Sequence, residues 1–146
     1  MGILATMRIG ACAVAAFIAA APASGADSGG VKVVYHINKG LGQATNGLRN
    51  IRNHLAADPG ARITVVTHAA GINFLLEGAK DENGNPYDAT VQDLVTQGVD
   101  FRVCNFTLLS RKIDRSKVIP EASIVPSGVA EIARLQARES YVYLRP

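Results

Sequence analysis

The chain has 146 residues, with 15 Lys and Arg against 12 Asp and Glu, a formal net charge of +3, 48% hydrophobic residues and no tryptophan. That length supports one compact domain with one core. The charge is too thinly spread, and too poorly interleaved with exposed aromatics, for a nucleic-acid-binding surface, and no apolar run is long enough to make a convincing membrane span.

Residues 1–26 have the order of a secretory signal. A segment with one positive charge, Arg8, leads into the apolar run Ile9–Ala21 and then the small residues Ala23, Ser24, Gly25 and Ala26. Cleavage is expected after Ala26, with Ala23 the alternative site, Met7 an alternative start and an uncleaved anchor the rival reading. Cys12 lies inside the apolar run as filler. The mature chain, 27–146, is then a single periplasmic or secreted domain with no membrane segment. Its only cluster of basic residues is Arg111, Lys112, Arg115 and Lys117, which suits a solvated helix face as well as an anion.

Strand and helix patterns alternate through the mature chain, which predicts an α/β fold with a parallel sheet between helical layers. Val31–Ile37 is a β-branched, nearly continuous apolar run, as in a strand buried on both sides. A helix over 43–57 places Leu48, Ile51 and Leu55 on one face before Asp58-Pro59-Gly60 stops it. Ile63–Thr67 is a second strand, followed by a short helical stretch with Ile72, Leu75 and Leu76 inward. Residues 80–88 form a polar loop containing Asn83-Gly84-Asn85-Pro86.

A helix over 89–97 ends at Gly98, and Val99–Val103 is a third strand. Residues 105–113 read as a short helix with Phe106, Leu109 and Ile113 toward the core. Ser123–Val125 is a fourth strand, and Ser127 is a natural N-cap for a helix whose inner stripe is Val129, Ile132 and Leu135. Tyr141–Leu144 closes the sheet.

Ligands of open α/β sheets bind outside the carboxyl ends of the strands. His36, Asn38 and Gly40 end the first strand, His68 the second, and Cys104 and Asn105 the third. Cys104 is the sole cysteine of the mature chain, and an exported protein with one unpaired thiol holds either a buried side chain or a reactive group. With Asn105 as cap of the following helix, the thiol would sit at that helix's positive end, which stabilises the thiolate.

His36 and His68 suit ligand orientation or proton movement, and equally a packed rim. They and Cys104 lack metal-site spacing, so no metal is expected. His54 reads as a surface side chain. The segment Gly40-Leu41-Gly42-Gln43-Ala44-Thr45 is a weak dinucleotide match, with Thr45 in place of the third glycine, and implies no cofactor. As a glycine-rich turn feeding a helix, it could still receive a small anion.

Three segments, Val31–Asn38, Gly98–Leu108 and Val125–Gln136, together resemble the DsrE/DsrF-like family over essentially the whole mature chain. The resemblance implies a DsrEFH-like three-layer α/β/α domain, flavodoxin-like in general appearance, with a five-stranded, mainly parallel sheet. It implies homo-oligomers, often trimers or hexamers, and sulfur relay through a cysteine persulfide, with Cys104 at the family's cysteine position. The expected function is a sulfur carrier working between donor and acceptor proteins or small sulfur compounds. The alternatives are a noncatalytic oligomeric binding module in which Cys104 only packs, and a disulfide between subunits through that residue.

Overall fold

The computed structural model of the chain describes Gly2 and residues 30–146; the expected signal sequence lies outside the described residues. Five strands form one all-parallel sheet in the order β4-β3-β2-β1-β5, with β1 Lys32–Ile37, β2 Arg62–Thr67, β3 Asp100–Cys104, β4 Ala122–Val125 and β5 Val142–Leu144. The helices are α1 Leu41–Ala57, α2 Tyr87–Thr96, α3 Asn105–Ser110 and α4 Gly128–Glu139, with 3₁₀ turns at Ala69–Leu75 and Arg115–Lys117.

From β1 to β4 the strands step in one direction across the sheet, and β5 then returns to the far side of β1. Right-handed crossovers put the helices of the outward run on one face and α4, which makes the return, on the other. The two faces are therefore unequal. Val33, Tyr35, Ile37, Val65, Phe101 and Val103 meet α1, α2 and the first 3₁₀ turn in a large core that includes Ile51, Phe74 and Leu94. On the opposite face, among the described residues, the buried cluster is Val34 and Val66 with Ile132 and Leu135 of α4, and Tyr141 at the margin.

Alternation within the strands assigns His36, Arg102 and Cys104 to the α4 face. There Arg102 pairs with Asp100 at 2.5 Å and with Glu131, and Arg134 joins Glu131 at 2.7 Å and also Glu139. This chain of alternating charges ties α4 to β3.

Three expectations from periodicity are corrected. Phe106 and Leu109 are each 63% exposed, whereas Thr107 and Leu108 are buried. The helix α3 is only six residues long and starts flush with the end of β3, so its phase follows the strand rather than the longer apolar stripe. Ile113 lies past its end and is half-buried. Val129 is also 63% exposed, because the inward stripe of α4 is Gly128, Ile132 and Leu135, which turns Val129 to the side. Leu76 is half-buried rather than in the core, where Phe74 stands instead.

Candidate functional site at the carboxyl rim of the sheet

The site is built where β1, β2 and β3 end against the first turn of α4. Cys104 is itself the N-cap of α3, in extended conformation (φ −71°, ψ 116°), with no side-chain cap hydrogen bond. The expectation that Asn105 caps this helix is thereby corrected: the helix begins at Asn105 itself, one residue earlier than a cap there would require. Its Oδ1 is buried without a hydrogen-bond partner, and the residue lines a small cleft with Arg115, Ile124, Val125 and Pro126 beside β4.

Cys104 is only 5% exposed, and burial alone would raise its pKa. The N–H of Gly128, the hydroxyl and N–H of Thr107 and the N–H of Phe106 outweigh that and hold the thiol below its usual value. These donors belong to the first turns of two helices, α3 and α4, whose amides carry partial positive charge, although the Phe106 N–H also donates to the carbonyl of Pro126 at 3.3 Å. The Thr107 hydroxyl also accepts from the N–H of Ala69 at 3.0 Å, which leaves its own hydrogen for the sulfur. Ala69 is a non-glycine residue at φ 51°. Its carbonyl is gripped by Arg111 Nη1 at 3.2 Å, so both peptide groups around this unfavourable conformation are tied down.

Gly128 is the meeting point. A Cβ there would lie 3.1 Å from the carbonyl oxygen of Thr67 and 3.3 Å from the Cβ atoms of both Cys104 and His68. The missing side chain lets the start of α4 close over the thiol and His68 together. Ser127 caps the helix as expected, its hydroxyl accepting from the Ala130 N–H at 3.3 Å.

His36 and His68 face one another, Nε2 to Nε2, at 2.7 Å, with ring centroids 4.8 Å apart. His36 Nδ1 meets the Tyr143 hydroxyl at 2.7 Å. Burial, then the neighbouring His68, then Arg145 push His36 down to about 4; burial and Arg145 lower His68 as well. Both rings are thus neutral near pH 7. A neutral imidazole linked to a phenol and a second imidazole can pass a proton by exchanging tautomers, with no net charge buried.

Asn38 stands at the outer edge, its Oδ1 accepting from Arg145 Nη2 at 3.1 Å. The adjoining turn does not act as an open anion cradle: Gln43 Oε1 already accepts from the N–H groups of Asn38 and Lys39 at 3.0 and 2.7 Å. His54, on α1, bonds Tyr35 on the opposite face of the sheet.

A model of the DsrE/DsrF-like family matches residues 32–146. The chain belongs to that family. Its fold is shared with the protein of unknown function MTH1491 from Methanobacterium thermoautotrophicum, at 32% identity and a TM-score of 0.71, over 80% of this chain and 99% of that one. It is shared also with the ychN protein from E. coli, at 18% identity and a TM-score of 0.67, over the same shares. No curated protein matches the chain.

Of the residues singled out from sequence, the structure gathers Cys104, His68 and His36 with Asn38 at the margin, and sets Asn105 apart. Periodicity missed Thr107, Gly128, Tyr143 and Arg145 of this DsrE-like rim. For Gly128 a signal existed: a glycine at the first position of a well-capped helix forgoes helix propensity, which suggests close packing.

Proposed function

We propose that the protein handles sulfur, with Cys104 accepting sulfane sulfur as a persulfide and releasing it to an acceptor thiol. The observation that carries this reading is the place of Cys104, the N-cap of α3 with Gly128 at the start of α4 packed against it, where the amides of two helix starts and the Thr107 hydroxyl lower the thiol's pKa. A thiolate is the nucleophile for sulfur transfer, and such donors stabilise it without a metal or a neighbouring fixed cation. The terminal sulfur of a persulfide is also anionic and suits the same donors. In this reading His68, with His36 and Tyr143 behind it, takes up or returns the proton of the acceptor thiol as sulfur leaves.

Family membership supports a relay between donor and acceptor proteins or small sulfur compounds. The exposed Phe106, Leu109 and Val129 beside the thiol suit a protein partner or a further copy of the chain, in keeping with the expected trimer or hexamer. The order of residues in 1–26 supports work in the periplasm or outside the cell. Mass spectrometry after incubation with polysulfide is the direct test. A gain of about 32 Da, one sulfur atom, that disappears in Cys104→Ser is the expected result; no gain sinks the reading.

The burial of Cys104 favours a second reading, a noncatalytic binding module in which the thiol packs. A thiol that reacts with alkylating reagents only in denaturant, with an ordinary pKa, would select it. The same burial disfavours a disulfide between subunits, which nonreducing electrophoresis checks.

A further inference from the structure

We infer that the outer edge of β4 pairs antiparallel with the β4 of a second copy of the chain, each copy placing Glu121 in the other's cleft beside Arg115. The inference concerns the assembly and does not depend on the chemistry of Cys104.

β4 ends the sheet on its side, and among the described residues it pairs only with β3. An edge strand leaves backbone N–H and C=O groups on its outer side, a template for a further strand, and sheets commonly guard such edges with charge, proline or a covering element. Within Ala122-Ser123-Ile124-Val125 there is neither charge nor proline, and Ser123 is exposed.

The charges that border β4 lie at its two ends and are opposite. Glu121 stands immediately before it, half-buried. At its carboxyl end Arg115 lines a cleft of about 130 Å³ with Asn105, Ile124, Val125 and Pro126. Among the described residues neither Glu121 nor Arg115 enters a salt bridge. Their charged neighbours are committed elsewhere. Asp114 accepts from the Ser116 N–H at 2.8 Å, Lys117 pairs with Glu77 at 3.5 Å, and Arg111 holds the Ala69 carbonyl. In the same cleft Asn105 Oδ1 is a buried acceptor without a partner.

Two-fold symmetry fits this pattern. An axis perpendicular to the sheet makes two β4 strands antiparallel and keeps α4 of both copies on one face, so each residue must oppose one that points to the same face. Centred on Ser123, the pairing sets Ser123 against its own counterpart, Ala122 against Ile124, and Glu121 against Val125 at the cleft. The carboxylate then meets Arg115, and the docked backbone brings N–H groups to the cleft where Asn105 Oδ1 lacks a donor. The contact is isologous, so each ion pair is made twice. A parallel pairing would set Arg115 beside Arg115 and Glu121 beside Glu121. A small anion would satisfy Arg115 but bring only a further acceptor to Asn105 Oδ1.

The test uses the full mature chain over a concentration series. Glu121→Lys and Arg115→Glu should each weaken association at least about tenfold and halve the mass found by sedimentation where the parent is assembled; the two changes together should restore most of it. Ser123→Cys, on the axis, should give a covalent dimer on nonreducing electrophoresis. The parent, whose Cys104 is buried, should give none. Parental mass in both single variants, with no cross-link through position 123, overturns the inference. So does a loss of assembly that the double variant fails to restore, because Glu121 and Arg115 then do not meet across the axis.

Discussion

His36 and His68 approach Nε2 to Nε2 at 2.7 Å, a contact that holds one hydrogen and so requires one ring to donate and the other to accept. The pair cannot take up two protons without breaking that bond, and burial, followed by the nearby Arg145, makes even the first unfavourable. The site is therefore built around neutral imidazoles.

This has a consequence for stability against pH. His36 titrates near 6.5 in the unfolded chain and at about 4 in the folded one. Between those values the unfolded state binds the extra proton, so stability should be full above pH 6.5 and fall as the pH drops toward 4. The ring is partly solvated, so after screening the loss should be on the order of 1 kcal/mol. Urea unfolding at several pH values checks it, and His36→Gln should flatten the slope in that window. An unchanged slope would show that the pair is not held neutral.

Thr107 links the strained turn at Ala69 to the thiol, accepting from one and donating to the other. Thr107→Val removes both roles while keeping the shape. The Ala69 N–H loses its acceptor, which should cost about 1–3 kcal/mol, and the Cys104 pKa should rise. Thr107→Ser should restore most of each. Alkylation rate against pH reads the thiol, and thermal unfolding reads the turn.

The architecture was legible because its signals are local. Val33 to Ile37 and Ile63 to Thr67 are mostly apolar and β-branched, broken only by His36, Thr64 and Thr67, because the β1 and β2 cores are covered on both faces, and Pro126-Ser127 announces α4 through a cap that any helix needs. The phase of α3 was not legible, since a helix of six residues gives periodicity too few turns to choose between Phe106 with Leu109 and Thr107 with Leu108. The site was half legible. His36, His68 and Cys104 could be placed on one rim because each ends a strand. Gly128 and Arg145 reach that rim only through the return crossover that carries α4 and β5 back across the sheet, and strand order is not written in any local pattern.

Phe106 and Leu109 offer a direct contrast between periodicity and structure. As core residues, either would cost 2–5 kcal/mol on truncation to alanine, as is typical of buried leucine and phenylalanine (about this size). As exposed residues, Phe106→Ala and Leu109→Ala should each stay within about 0.5 kcal/mol in dilute protein. If this surface joins copies of the chain, the double variant should instead lower the oligomer mass. Sedimentation across a concentration series measures that. A large stability loss in a protein shown to be monomeric would place these side chains back in the core.

The start of α4 allows the electrostatic role of its amides to be separated from its packing. Ser127→Asp keeps an N-cap acceptor for the Ala130 N–H, so stability should change by only a few tenths of a kcal/mol. It also sets a carboxylate next to Gly128, whose N–H serves the thiol. The negative charge should push the Cys104 pKa up and slow thiolate reactions at neutral pH, and added salt should recover part of the rate. Gly128→Ala acts by distance instead. Its methyl group would press on the Thr67 carbonyl and on the Cβ atoms of Cys104 and His68, each tighter than ordinary contact. The first turn of α4 must then lift by a few tenths of an ångström, weakening its N–H contact to sulfur, while the helix gains from replacing glycine. Its thiol reactivity should therefore fall, with little change in unfolding midpoint and no response to salt. If both variants keep the parental thiol pKa, the α4 amide has no part in holding the thiolate, and the donors of α3 alone must account for it.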